Sequence, residues 1–145
     1  MDENTTMRLF YKENVEDEKT VFYAASPRFK DENGKPVMWE LKALDYDTLE
    51  EITKRHTKTV PNTVTGRAEK TTDMSAASME MALTALVYPN LNDKDLQDSW
   101  CAIGAEDLLK KMLKPGEISD LEAAVTEAAG FKTNIGDQIK TVKNS

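Results

Sequence analysis

Apolar positions recur with period two in one part of the chain and with helical spacing in most of the rest. Val37, Trp39, Leu41 and Ala43 share one face of an extended chain, while Glu40 and Lys42 point away, which predicts a strand with one wet face. Val21-Phe22-Tyr23-Ala24-Ala25 is a second run of strand formers, closed by Ser26-Pro27. Between the two runs, Asp31 to Pro36 is turn chemistry, with Asn33-Gly34 supplying positive φ. The runs predict a β-hairpin. Two strands alone are barely stable, so helices are expected on the Trp39 face.

Helical spacing begins at Asp47-Thr48-Leu49-Glu50, which has the form of a capping box. Leu49, Ile52 and His56 follow on one stripe, basic residues gather toward the C-terminal end, and Pro61 is expected to stop the helix. Asn62 to Thr72 is polar, contains Gly66 and shows no period, so it reads as a loop or linker. Asp73 then caps a helix that is apolar on nearly every face. Ala76, Met79, Leu83, Leu86 and Val87 form one stripe, and Ala77, Met81 and Ala85 a second. Such a helix must be covered on most faces, by its own chain or by another protein. It is expected to run up to Pro89. Asn92 or Asp93 caps the next helix, with Leu96, Trp100 and Ile103 inward and Gly104 as its C′ residue. Ala105 to Leu113 predicts a short helix, and Pro115-Gly116 a break. Ser119-Asp120-Leu121-Glu122 repeats the capping-box form, and Gly130 ends that last helix with Phe131 folding back over it. Ile135, Ile139 and Val142 suggest a weak amphipathic turn.

The fold class expected is α+β, mostly α: an N-terminal β-hairpin packed with a helix, then a C-terminal bundle of about four short helices. Residues 1–19 are expected to be a mobile segment despite the apolar island of Met7, Leu9, Phe10 and Tyr11. Residues 20–131 form a single domain, with the polar loop near 61–72, and residues 132–145 a weakly structured tail.

Composition narrows the function classes. The 145 residues carry a net charge of −7, which argues against nucleic acid as the main ligand. The charge is uneven: Thr53 to Thr72 holds Lys54, Arg55, Lys58, Arg67 and Lys70 against Glu69, while Pro89 to Gly130 holds nine acidic residues against four lysines. Solvated surfaces explain both, and head-to-tail self-association is the sharper alternative. No apolar run approaches a membrane span, and the acidic N-terminus is unlike a secretory signal. One cysteine, Cys101, permits no internal disulfide, in keeping with a reducing cytoplasm.

No catalytic signature emerges. His56, the one histidine, reads as a helix-surface or core-edge residue. Cys101 reads as a small buried hydrophobe. Asp93, Asp95 and Asp98 lack the Gly and Glu of a calcium loop, and one Cys with one His gives no zinc spacing. The expectation is a protein that is not an enzyme and uses no cofactor or metal. What remains is adhesive surface: four of the seven methionines, Met74, Met79, Met81 and Met112, fall in the C-terminal helices, and methionine surfaces adapt to varied apolar partners.

Two blocks carry a family resemblance. Ser26-Pro27-Arg28-Phe29-Lys30-Asp31-Glu32-Asn33-Gly34-Lys35-Pro36-Val37 with Trp39-Glu40-Leu41-Lys42-Ala43 is one. Val87 to Trp100, then Gly104 to Glu117, then Gly130-Phe131, is the other. In order and spacing, roughly residues 21 to 131 resemble the XkdN-like phage tail assembly chaperones. The resemblance implies a protein of a long-tailed bacteriophage or prophage that binds the tape measure protein, a long helical chain. It would keep that chain soluble in the host cytoplasm and be absent from the mature virion. It also implies the possibility of a frameshifted longer form that recruits tail tube protein, while the uneven charge leaves a homo-oligomer possible. A groove lined by Met79, Leu83, Leu86, Trp100, Leu109 and Met112 is the expected partner site. Competing readings are a small acidic decoy or adaptor acting on a host protein, an enzyme using carboxylates with His56, and a structural tail component retained in the virion.

Overall fold

Val21–Tyr23 (β1) and Trp39–Leu41 (β2) pair antiparallel, with Val21 opposite Leu41, Phe22 opposite Glu40 and Tyr23 opposite Trp39. The structure, a computed structural model, describes residues 3–131. The hairpin is the expected one, with shorter strands. Trp39 and Leu41 are buried on its inner face, and Glu40 lies on the outer one. The connection is closed by Asp31, whose carboxylate accepts from the Asn33 and Lys35 amides at 2.8 and 3.0 Å. Gly34 takes φ +79° there. Before the hairpin, a short helix, Glu3–Arg8 (α1), leads into a 3-10 turn at Lys12–Asn14. Met7, Leu9, Phe10 and Tyr11 are all exposed on this N-terminal segment.

The helix after the hairpin, Tyr46–Arg55 (α2), is capped by Asp45 rather than Asp47: the Asp45 carboxylate accepts from the Thr48 amide at 2.8 Å. Both aspartates suit the role chemically, and the one two residues earlier adopts the extended φ/ψ a cap needs. Ile52 is buried and Leu49 half-buried on the inward stripe.

The stretch read as a linker is instead a second hairpin. Thr57–Pro61 (β3) and Ala68–Thr72 (β4) pair in register from Thr57–Thr72 to Pro61–Ala68. Pro61 therefore ends a strand, and the preceding helix has already stopped at Arg55. Asn62 holds the turn by accepting from the Val64 and Thr65 amides at 2.8 and 3.2 Å. Nearly every residue of this arm is exposed on both faces. That is why no apolar alternation marks it in the sequence.

Asp73 caps the next helix, Met74–Ala85 (α3), as expected, accepting from the Ala76 amide at 3.1 Å. The helix ends at Ala85, short of Pro89. Leu86–Tyr88 forms a strand, β5, on the free edge of β2, giving the sheet order β1-β2-β5. Residues ahead of a proline favour extended backbone, and Leu-Val-Tyr suits a strand. The Lys42 amide donates to the Ala85 carbonyl at 2.9 Å and starts the pairing.

Lys94–Ser99 (α4) is capped by Asp93. Ala105–Met112 (α5) and Pro115–Ala128 (α6) complete the helices among the described residues. Four expectations change here. Ile103, expected inward, lies beyond α4 and is 90% exposed. Gly104, at φ +86°, is the N-cap of α5 and not the C′ residue of α4. Pro115 opens α6 instead of breaking the chain, at the first helical position where its missing N–H costs nothing. The carboxylate that reaches back is Glu117, accepting from the Lys114 amide at 2.8 Å, so Ser119-Asp120-Leu121-Glu122 lies inside the helix. Gly130 (φ +95°) closes α6, and the Phe131 amide donates to Thr126 O at 3.2 Å.

The core joins the inner face of the sheet to the helices through Trp39, Leu41, Leu108, Leu109, Leu121 and Val125. At its centre α3 packs against α2 and α6 and touches α5 and β5. Its fully buried residues are small, Ala77, Ala82 and Ala85. Alanines let the neighbouring backbones approach closely, while Met79, Met81 and Leu83 fill the layer around them, half-buried. Most faces of this apolar helix are thus covered by its own chain.

Candidate partner-binding surface

The sheet and the α4–α5 region leave an apolar hollow of about 340 Å³ between them. Val37 and Trp39 come from the hairpin, Tyr88 and Pro89 from the end of β5, Leu96 from α4 and Met112 from α5. Phe29 lines it as well. Its ring centroid lies 6.1 Å from that of Trp39 and 6.2 Å from that of Trp100, tilted by 53° and 57°. Tilted rings at such separations attract edge to face, so the three aromatics brace one another.

One arginine pins the rim. The Arg28 guanidinium sits 5.7 Å from the centre of the Phe29 ring, donates to the Met112 carbonyl and approaches the Glu117 carboxylate at 3.9 Å. Glu117 is held below the usual carboxylate range by the Lys114 amide first, then by the Ser26 hydroxyl. Buried Ser26 also accepts from the Arg28 amide at 3.3 Å. This network ties the hairpin loop to the α5–α6 junction, so the hollow has fixed walls. Nearby, the Tyr23 hydroxyl is buried with no hydrogen-bond partner among the described residues. Burial, with the Asp120 and Glu117 charges, pushes its pKa up to about 12.

The six residues expected to line one groove divide. Leu109 and Met112 belong to the buried core, and Met112 also reaches the floor of the Phe29 hollow. Trp100 is half-buried behind Phe29. Leu83 and Leu86 border a separate, smaller hollow of about 170 Å³ with Thr84 and Asn90. Met79 is half-buried against the core. Sequence reasoning about helix faces missed Arg28, Phe29, Val37, Tyr88 and Pro89, which lie on strands and loops. The visible signal was the Ser26–Val37 block itself, aromatic and basic inside an otherwise turn-like stretch.

His56 closes α2 as its C-cap. Its Nε2 lies 2.9 Å from Glu80 Oε1 on α3, and Arg55 binds the same carboxylate through Nε at 3.0 Å and through Nη2. Glu80 is held below its ordinary range, by Arg55 first and His56 after it, against the opposing effect of burial. The arrangement clamps the base of the β3–β4 arm to α3. Cys101 is exposed, contrary to the buried role expected for it, because the chain turns outward there through φ +53°.

Comparison with known proteins places this architecture. The family described as Phage XkdN-like tail assembly chaperone protein, TAC, matches residues 7–143. The chain belongs to the XkdN-like phage tail assembly chaperone family. Among its relatives is Phage-like element PBSX protein XkdN of Bacillus subtilis (strain 168), 27% identical over 121 residues covering 82% of this chain and 80% of that one. YqbN of the same strain is 29% identical over the same shares. The crystal structure of yqbn has the same fold, with a TM-score of 0.68 at 23% identity, covering 86% of this chain and 95% of the other. Membership of a chaperone family implies binding of a phage tail protein. Among the described residues no helix is long and apolar enough to cross a membrane.

Proposed function

We propose that the chain binds the tape measure protein during assembly of a long phage tail, holds its helices soluble in the host cytoplasm, and is released before the tail is complete. The observation that carries this reading is the Phe29 hollow: apolar, firmly walled and open to solvent in a member of a tail chaperone family. An amphipathic helix offers apolar anchors at i, i+3, i+4 and i+7, and a groove of this kind takes one or two of them. Tyr88, 55% exposed, and half-buried Leu96 supply the lip, with Met112 as floor and Trp100 as backing. A chaperone that must later let go needs few anchors and modest affinity.

The test is binding of tape measure fragments to the purified chain by calorimetry. Tyr88→Glu and Leu96→Glu, checked for unchanged folding by circular dichroism, are each expected to weaken binding by roughly tenfold or more, as buried interface anchors do. Unchanged affinity in both variants would remove the site, and absence of binding by the parent chain would remove the partner. Mass spectrometry of purified virions is expected to lack this chain; its presence there would favour a retained tail component.

A further inference from the structure

The β3–β4 arm carries a surface that the rest of the described chain leaves uncovered. Its register runs from Thr57–Thr72 to Pro61–Ala68, and the Asn62 amide, donating to the Arg67 carbonyl at 2.8 Å, adds one more pair. Alternation therefore puts Lys58, Val60 and Arg67 on one face and Lys70 on the other. All four are exposed. Two strands with both faces wet gain little from burial, so such a ribbon is stabilised by whatever it lies against. Its base is fixed by the bond from the Asp73 amide to His56 O at 2.8 Å and by the Arg55–His56–Glu80 clamp, so the arm projects in a set direction.

The complementary charge sits on α6. Between Pro115 and Ala128 there are Glu117, Asp120, Glu122 and Glu127 and no basic residue. Asp120 and Glu127 are exposed at i and i+7, nearly in line on one helix face, with exposed Ala123 between them. Among the described residues no ion pair involves Lys58, Arg67, Lys70, Asp120 or Glu127. The spacings agree. Lys58 and the Asn62–Arg67 pair are four ladder steps apart, roughly 13 Å. Two turns of helix separate Asp120 from Glu127 by roughly 10 Å. Long Lys and Arg side chains span the difference.

We propose that the arm docks on the outer face of α6 of a second copy of this chain, with Lys58 and Arg67 against Asp120 and Glu127 and Val60 over Ala123. Charge decides the occupant. Arm-to-arm pairing would set Lys58, Arg67 and Lys70 against their own copies, and like charges repel. Nucleic acid would meet three basic residues, with Glu69 among them, on a chain of net charge −7. Helix α6 offers only acid, at a concentration equal to the arm's own. One short ribbon makes a small contact, so the association is weak and sensitive to salt. No residue of the arm or of α6 lines the Phe29 hollow, so this proposal and the tape measure reading fail separately.

The experiment is sedimentation velocity on the full chain. From about 10 to about 500 µM in about 0.05 M sodium chloride, the weight-average sedimentation coefficient is expected to rise, and the rise to disappear in about 0.5 M salt. Lys58→Glu with Arg67→Glu, and separately Asp120→Lys with Glu127→Lys, should each stay monomeric with unchanged circular dichroism. An equimolar mixture of the two double variants should associate again, to within about threefold of the parent, because both surfaces have then exchanged sign. Loss of folding cannot produce that rescue. Asp120→Asn with Glu127→Gln, which keeps the side-chain shapes on α6, should weaken association by roughly tenfold. A parent that is monomeric throughout, association retained by both reversed variants, or a mixture that stays monomeric would each overturn the proposal. So would a monomeric parent that binds duplex DNA through the arm, which would assign the arm to nucleic acid.

Discussion

At φ +86° and ψ +166°, Gly104 occupies a region of backbone space that side chains scarcely enter. A Cβ added there would meet nothing within 4 Å, so any penalty comes from the backbone alone. Gly104→Ala is therefore expected to destabilise the fold by about 1–3 kcal/mol in urea unfolding. The glycine was legible in the sequence as a helix boundary, but not which helix it served. Cys101, three residues earlier, takes the positive φ that ends α4, and nothing about a cysteine after a tryptophan announces that. Hence an exposed thiol stands where a buried one was expected. The charged clamp gives a second prediction at this scale. The Glu80 pKa is lower in the folded chain than its ordinary value, so its contribution to stability is complete at neutral pH. It is lost as pH falls through the depressed folded value. The stability difference between the parent chain and Glu80→Gln should shrink as pH falls below the ordinary carboxylate range and vanish in stronger acid. A difference that persisted undiminished in strong acid, followed by circular dichroism melts, would contradict the assignment.

Elements with a buried side could be read from the sequence, and elements without one could not. The hairpin of Trp39 and Leu41 and the caps at Asp73 and Asp93 leave plain marks, because burial enforces alternation and orphan helix amides demand an oxygen acceptor. The arm of β3 and β4 leaves none. Its Thr, Val and Lys residues suit strands, but both faces are wet, so no period separates them from a loop. Strand β5 was hidden for another reason: it continues an apolar helical run, and only pairing to the β2 edge makes Leu86–Tyr88 extended. The arm should behave as a two-stranded unit fixed mainly at its base, where the Thr57 and Thr72 hydroxyls lie 2.6 Å apart and the Asp73 amide donates to His56 O at 2.8 Å. Lys58→Glu and Lys70→Glu, both on exposed positions of the arm, are expected to change global stability by no more than about 0.5 kcal/mol. Amides of Thr59, Val60 and Lys70 should exchange much faster than those of Leu41. Protection of the arm equal to that of β2 would show that it is anchored more firmly than its exposed faces suggest.

For the whole molecule, the charge distribution and the hollow make opposing claims about what holds a partner. The basic arm bears Lys58, Arg67 and Lys70, and the chain from Pro89 to Gly130 is strongly acidic; that asymmetry was plain in the sequence, which offered solvated surface first and ionic contact as the alternative. The Phe29 hollow was not plain, because its walls come from the hairpin loop, from β5 and from two helices, and only the fold assembles them. The two surfaces respond differently to salt. Contacts between exposed charges are screened once the Debye length falls to a few ångströms, and association steered by them slows steeply. Apolar anchors in a walled hollow lose nothing to screening. Binding of a tape measure fragment is therefore expected to vary by less than about threefold in Kd between roughly 0.1 and 1 M sodium chloride, with any loss confined to the association rate. Lys58→Glu and Lys70→Glu should leave that Kd unchanged while Tyr88→Glu raises it. A Kd that climbed tenfold or more with salt, and followed the arm substitutions instead, would move the partner from the hollow to the arm. It would also make the acidic C-terminal half of a neighbouring chain the arm's natural competitor.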